Sequence, residues 1–176
     1  ITGNANGVSG ETQNIKMGAG IVLAGTYLTL QNGTEVHLDT LNRGFVMELG
    51  QISSIEDRVA KVIIDNSKMT VENISGNASN GAHWEVLNGA ELTVKDIGTH
   101  GLSTDTLLVD NATVSVDGAG WLGIYGTDIS LKNNANVSVV NSGTSEAFAA
   151  SPSYTGKGAV QLKGSTPQLS IEDSTL

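Results

Sequence analysis

From Val62 to Asn73 the chain reads VIIDNSKMTVEN. Apolar residues alternate at Val62 and Ile64, a polar turn follows at Asp65-Asn66-Ser67-Lys68, and alternation resumes at Met69 and Val71. A period of two marks strands with one buried face. The pattern recurs as LTLQNGTEVHLD at 28–39, EVLNGAELTVKD at 85–96, LLVDNATVSVDG at 107–118, ISLKNNANVSVVN at 129–141 and VQLKGSTPQLSIED at 160–173. Anchored on the first apolar residue after each turn (Val36, Met69, Leu92, Val114, Val137, Leu169), the copies are 33, 23, 22, 23 and 32 residues apart. Three near-equal steps between two long ones define a repeat of 22–23 residues with insertions at 40–61 and 140–158. So short a unit cannot bury its own apolar face and must stack on its neighbours.

After each turn the inward pairs are Val36/Leu38, Met69/Val71, Leu92/Val94, Val114/Val116, Val137/Val139 and Leu169/Ile171, and between them His37, Thr70, Thr93, Ser115, Ser138 and Ser170 point outward. A slip of one residue would expose a whole apolar pair, so the stacking register is strongly specified. A second corner is expected at Asp39, Asn73, Asp96, Gly118, Asn141 and Asp173, residue types that tolerate left-handed backbone or bond locally. Beyond it the copies diverge (ISGNASNGAHW at 74–84, IGTHGLSTDT at 97–106, AGWLGIYGTD at 119–128), which marks a variable third side. Two strands, a short third one and three corners account for the period. The expectation is an all-β stack of three-sided coils with parallel strands and very little helix. An antiparallel sandwich is the structural rival, and it does not require a constant period. Residues 1–20 read as an irregular coil leading into a single domain, GFVMELG at 44–50 as an extra strand within the first insertion, and 140–158 as loop.

Composition narrows the function. Nine basic against eighteen acidic residues give a net charge of −9, with no basic stripe to attract nucleic acid or an anionic membrane. No run approaches the ~20 apolar residues of a membrane helix. Cysteine is absent, so stability rests on burial and backbone hydrogen bonds. The chain opens on Ile1 and stops just after a strand, as expected of a piece of a longer protein.

The VDNATVSVDG and LNGAELTVKD segments resemble the rungs of right-handed parallel β-helix proteins of the pectate-lyase-like fold, and in particular the passenger regions of bacterial autotransporter adhesins. The resemblance covers roughly 21–176 and rests on the style of the repeat. It implies a single-stranded right-handed β-helix, exported to the bacterial cell surface. Such a rod would mediate attachment to a surface glycan or protein, or cell-to-cell aggregation, with possible self-association, no cofactor and no membrane insertion by this segment. The same fold also hosts polysaccharide lyases and glycoside hydrolases, the opposing expectation.

For that chemistry the candidates are Asp105, Asp128 and His83. Asp105 and Asp128 lie 23 residues apart in Ser-Thr-Asp and Gly-Thr-Asp contexts. If the extra residue between their coils falls in the 119–126 arm, they stack at about 4.8 Å and one carboxyl becomes a proton donor. If it falls at Asn133-Asn134, Asp128 stacks on Thr106 instead. Enzymes of the resembled fold carry basic catalytic residues, or acidic pairs with Gly-His-Gly and Arg-x-Lys elements. Here the arginines are Arg43 and Arg58, both within an insertion, and Thr99-His100-Gly101 is the nearest histidine element. Solvated turn carboxylates are therefore the favoured reading. Gly118-Ala119-Gly120-Trp121-Leu122-Gly123 matches GxGxxG but is followed by no helical pattern, so its glycines belong to coil corners. His37, His83 and His100 have no metal-ligand spacing among themselves, and no metal site is expected.

The binding candidates are Trp121 and Tyr125 in the variable arm and Trp84 beside an outward apolar column at Ile63, Val86 and Leu108. Exposed aromatics on a flank can stack on sugar rings or anchor a protein partner. In that phase Glu85 would point inward, against the pattern.

Overall fold

A computed structural model describes residues 2–3, 19–23, 27–47, 60–150 and 159–176. The strands run coil by coil. The first coils hold β1 (Thr2–Gly3), β2 (Ala19–Leu23), β3 (Tyr27–Leu30), β4 (Glu35–Asp39), β5 (Arg43–Met47), β6 (Lys61–Asp65) and β7 (Lys68–Ile74). The central coils hold β8 (Ser79–Asn80), β9 (His83–Leu87), β10 (Glu91–Ile97), β11 (Leu102–Ser103), β12 (Thr106–Asp110) and β13 (Thr113–Ala119). The last hold β14 (Ile124–Gly126), β15 (Asp128–Lys132), β16 (Asn136–Val140), the helix α1 (Glu146–Ala150), β17 (Val160–Leu162) and β18 (Gln168–Ile171).

Every third strand joins the same sheet. The leading sheet, before each turn, has the order β3-β6-β9-β12-β15-β18; the following sheet has β1-β4-β7-β10-β13-β16; the variable side has β2-β5-β8-β11-β14-β17. All pairings among the described residues are parallel, so the antiparallel rival is excluded and the arrangement is that of stacked coils consistent with a β-solenoid.

Apolar residues meet in register across the following sheet as Val36, Met69, Leu92, Val114 and Val137, all at most 3% exposed. Each such side chain contributes roughly 1.5–3 kcal/mol on burial, which outweighs anything the outward hydroxyls add. Inside the leading sheet the row is Leu28, Val62, Trp84, Leu107, Ile129 and Leu169.

The first corner explains why steps alternate between 22 and 23. At Asn66 and Asn111 a single left-handed residue turns the chain. At Asn32-Gly33, Asn88-Gly89 and Asn133-Asn134 two consecutive residues have positive φ, and the corner is one residue longer. Glycine, and asparagine or aspartate through a short polar side chain, occupy that region most readily. Each added residue donates its amide to the next coil: Gly33 to Asn66 at 2.8 Å, Gly89 to Asn111 at 2.6 Å, Asn134 to Asp173 at 2.7 Å. Side chains continue the ladder, with Asn88 donating to Asp65 (2.8 Å) and Asn133 to Asp110 (2.7 Å). The second corner turns at Asn73, Asp96, Gly118 and Asn141 as expected, but at Thr40 in place of Asp39.

Several expectations are corrected. The longer Asn88-Gly89 corner shifts the phase of β9, so Trp84 and Val86 face the core at 1% and 0% exposure and Glu85 faces out. The sixth copy lies elsewhere than expected: β18 stacks on β15 in the leading sheet, so Leu169 and Ile171 are not a following-sheet pair and are 44% and 47% exposed at the end of the stack. Asp173 accordingly belongs to the first corner, and Ser170 stacks on Ser130. The strand expected within GFVMELG is β5, an ordinary member of the variable side. In the segment expected to be loop, Ser145 caps α1 by accepting the Phe148 amide at 3.1 Å. Most of the expected opening coil, and the 48–59 and 151–158 parts of the two insertions, lie outside the described residues.

Candidate functional site on the variable side

The variable side is built by close backbone approach. A Cβ on Gly101 would lie 2.5 Å from the Gly123 carbonyl oxygen and 2.6 Å from Val116. Glycine therefore lets the coil bend sharply beneath the next one. The three glycines of the GxGxxG match serve the same end: Gly118 turns the second corner with φ +76, Gly120 lies against the Gly98 carbonyl, and Gly123 against Val139. Gly123 leads directly into β14, a strand, so this turn opens no helix whose N-terminus could receive a phosphate.

Around this bend four coils bring together residues far apart in sequence. His100, 8% exposed, stacks on Tyr125 with ring centroids 5.4 Å apart and 21° between planes. It meets Trp121 edge-on at 5.3 Å. Phe148, carried by α1 and 1% exposed, lies 5.7 Å from Trp121. Lys163 places its ammonium 5.2 Å from the Tyr125 ring centre and 3.3 Å from the Asp105 carboxylate. Asn77 lies beside His100 Nδ1 at 3.3 Å and accepts from Thr99 Oγ1. Burial first, then the Lys163 charge, holds the His100 imidazole below its ordinary value. Gln161, the register partner of Tyr125, has a buried Oε1 with no hydrogen-bond partner among the described residues. Trp121 and Tyr125 are half-buried, so part of each remains at the surface.

No protein-family model, curated protein or solved structure matches the chain. Its function is therefore read from the side chains themselves.

The residues singled out in the sequence fare differently. Trp121 and Tyr125 are brought together through His100. Trp84 is a correction: it sits in the core, 1% exposed, with its indole N–H donated to Ser79 Oγ at 3.2 Å, and cannot stack on a ligand. The outward apolar column is likewise interrupted, because Glu85 stands between Ile63 and Leu108 and pairs with Lys61 at 2.6 Å. Asp128 stacks on Thr106, and Thr106 on His83, because the extra residue falls at Asn133-Asn134. Asp105 and Asp128 are thus not register partners; Asp105 pairs with Lys163, and His83 Nδ1 lies 2.7 Å from Thr106 Oγ1. The acid/base geometry that required two carboxylates in register is not assembled.

Phe148 and Lys163 are members of the cluster that the sequence pattern does not single out. His100 stands out there only within Thr99-His100-Gly101, one coil before Trp121-Leu122. A separate group, His37, Asp39 and Glu72, brings three ligating atoms within 4.8 Å of one another on the following sheet.

Proposed function

We propose that this chain is a recognition segment of a bacterial surface adhesin, a right-handed parallel β-helix that binds a surface glycan or protein through its variable side. The carrying observation is the cluster of Trp121, Tyr125 and His100 beside the Asp105–Lys163 pair. Aromatic edges next to charged groups suit a polyhydroxylated or mixed polar and apolar surface, where apolar ring faces and hydroxyls are met together. Packing within the cluster commits part of the aromatic surface to holding α1 and fixes the orientation of the remainder. Little side-chain entropy is then lost on binding. Repetition of such segments along a surface raises avidity above a modest single-site affinity.

The reading is tested by glycan arrays and bead aggregation with the wild-type chain, Tyr125→Ala and Trp121→Ala. The expected result is binding that both substitutions reduce strongly while circular dichroism retains the β signal. Binding that persists unchanged in both variants sinks the reading. So does glycan depolymerisation abolished by Asp128→Ala.

A further inference from the structure

The following sheet presents mostly hydroxyls outward, in the row His37, Thr70, Thr93, Ser115 and Ser138. The adjacent outward row is Asp39, Glu72, Lys95, Asp117 and Val140. Among the described residues, an imidazole stands next to two carboxylates on this sheet only at β4 and β7. His37 and Asp39 are two apart on β4 and so share a face, and Glu72 is the register partner of Asp39 on β7. Their ligating atoms converge within 4.8 Å, with His37 Nε2 already 2.7 Å from Glu72 Oε1.

We propose that His37, Asp39 and Glu72 form a binding site for a divalent transition-metal cation of the zinc class. Such an ion takes one imidazole nitrogen and carboxylate oxygens at about 2.0–2.2 Å, which sets the ligand atoms roughly 3.4 Å apart. The present separations, 2.7 Å between His37 Nε2 and Glu72 Oε1 and within 4.8 Å for all three atoms, bracket that spacing. Two adjacent strands fix the backbone through the ladder from Glu35↔Lys68 to Asp39↔Glu72. The outer support is also in place: Asn73 Nδ2 and Thr40 Oγ1 donate to the Asp39 carboxylate at 2.8 and 2.9 Å and orient it. Lys95, the next residue in the acidic row, does not occupy the site; its ammonium lies 3.7 Å from Asp96. The imidazole selects against calcium and magnesium, which take oxygen ligands in larger number or more water. Two carboxylates supply the charge to hold a dication, and open positions remain for water or for a ligand's oxygen. The site is independent of the aromatic cluster.

The test is calorimetric titration of the untagged chain with zinc chloride, accompanied in parallel by histidine ring nitrogen–proton spectra. The expected result is one zinc per chain, with the His37 Nε2 resonance shifting and the rings of His83 and His100 unmoved. His37→Ala and Glu72→Gln should each weaken binding by more than tenfold, and Asn73→Ala by about tenfold. Calcium should not displace the zinc. Because the resonance shift is read on the wild-type chain, it does not depend on any variant folding. Absence of saturable heat and of a His37 shift at millimolar zinc overturns the proposal. Affinity unchanged in His37→Ala does so too.

Discussion

The leading and following sheets differ from the variable side in how neighbours are made. In the two regular sheets, the strands from β3 onward have four to seven residues and pair one for one with the coils above and below, and like stacks on like: Val62, Trp84, Leu107 and Ile129 inward, Thr70, Thr93, Ser115 and Ser138 outward. On the variable side β8, β11 and β14 have two or three residues, and unlike residues meet: His100 with Tyr125, Trp121 with Phe148, Lys163 with Asp105. Repetition therefore supplies a rigid backbone frame, and departure from repetition supplies chemistry. The functional neighbours of a residue here lie about one coil away along the chain.

The largest separation between the regions is expected from Trp84→Ala and Phe148→Ala. Trp84 fills the interior of the regular stack between Val62 and Leu107, and its loss should cost about 3–5 kcal/mol. It would also strip Ser79 of the indole donor. Urea unfolding monitored by circular dichroism should show the whole transition moving to lower denaturant. A change below about 1 kcal/mol would mean that Trp84 does not fill the core as described.

Phe148 is as buried as Trp84 but belongs to a five-residue helix docked on the variable side. Its removal should free α1 and expose Trp121 while leaving the regular sheets paired. The global transition should move by less than half the Trp84→Ala shift. Trp121 emission, isolated in a Trp84→Phe background, should red-shift. Equal global shifts would show that the two regions unfold as one unit and would erase the distinction.

The same contrast governs how much of the molecule is legible in its sequence. The three central spacings locate the following-sheet row from Met69 to Val137 residue by residue, because burial repeats with the period. The leading sheet is legible only up to the corner. Anchoring after the turn hides the extra left-handed residue at Asn88-Gly89, which reverses the facing of Trp84, Glu85 and Val86. Asn-Gly and Asn-Asn stand in the chain as the signal that such corners are longer, and that signal also puts Asp128 on Thr106. The sixth copy departs from expectation for a different reason: its β17 belongs to the variable side and its β18 to the leading sheet, so the turn between them is the third corner. The aromatic cluster has no periodic trace, since Phe148 and Lys163 come from the lengthened coil. Trp121 and Tyr125 can be singled out by residue type, but their partners cannot.

A smaller effect is expected at the corners. Asn111 turns its coil alone with φ 49, and alanine there has to adopt the left-handed region, a cost of about 1–2 kcal/mol. Asn111→Gly should be close to neutral, since glycine reaches the same backbone freely. Thermal unfolding of the pair separates backbone strain from side-chain bonding. If Asn111→Gly destabilises as much as Asn111→Ala, the side chain matters and the conformational account is wrong.

The smallest effect tests the variable side through protons. Burial, and secondarily Lys163, depress the His100 pKa below its ordinary 6.5, so the folded chain favours the neutral ring more than the unfolded chain does. The unfolded state then binds the extra proton first as pH falls. The stability His100 contributes is complete above the unfolded value and is lost as pH drops through the folded value. Denaturant midpoints measured from about pH 7.5 down to about pH 5 should fall more steeply in the wild type than in His100→Phe, which keeps a ring against Tyr125 but does not titrate. Lys163→Met should lessen the depression and give an intermediate slope. His37 and His83 are common to all three chains and cancel in the comparison. Identical slopes in wild type and His100→Phe would place the imidazole in contact with solvent, and the cluster would lose the buried edge on which Trp121 and Tyr125 are held.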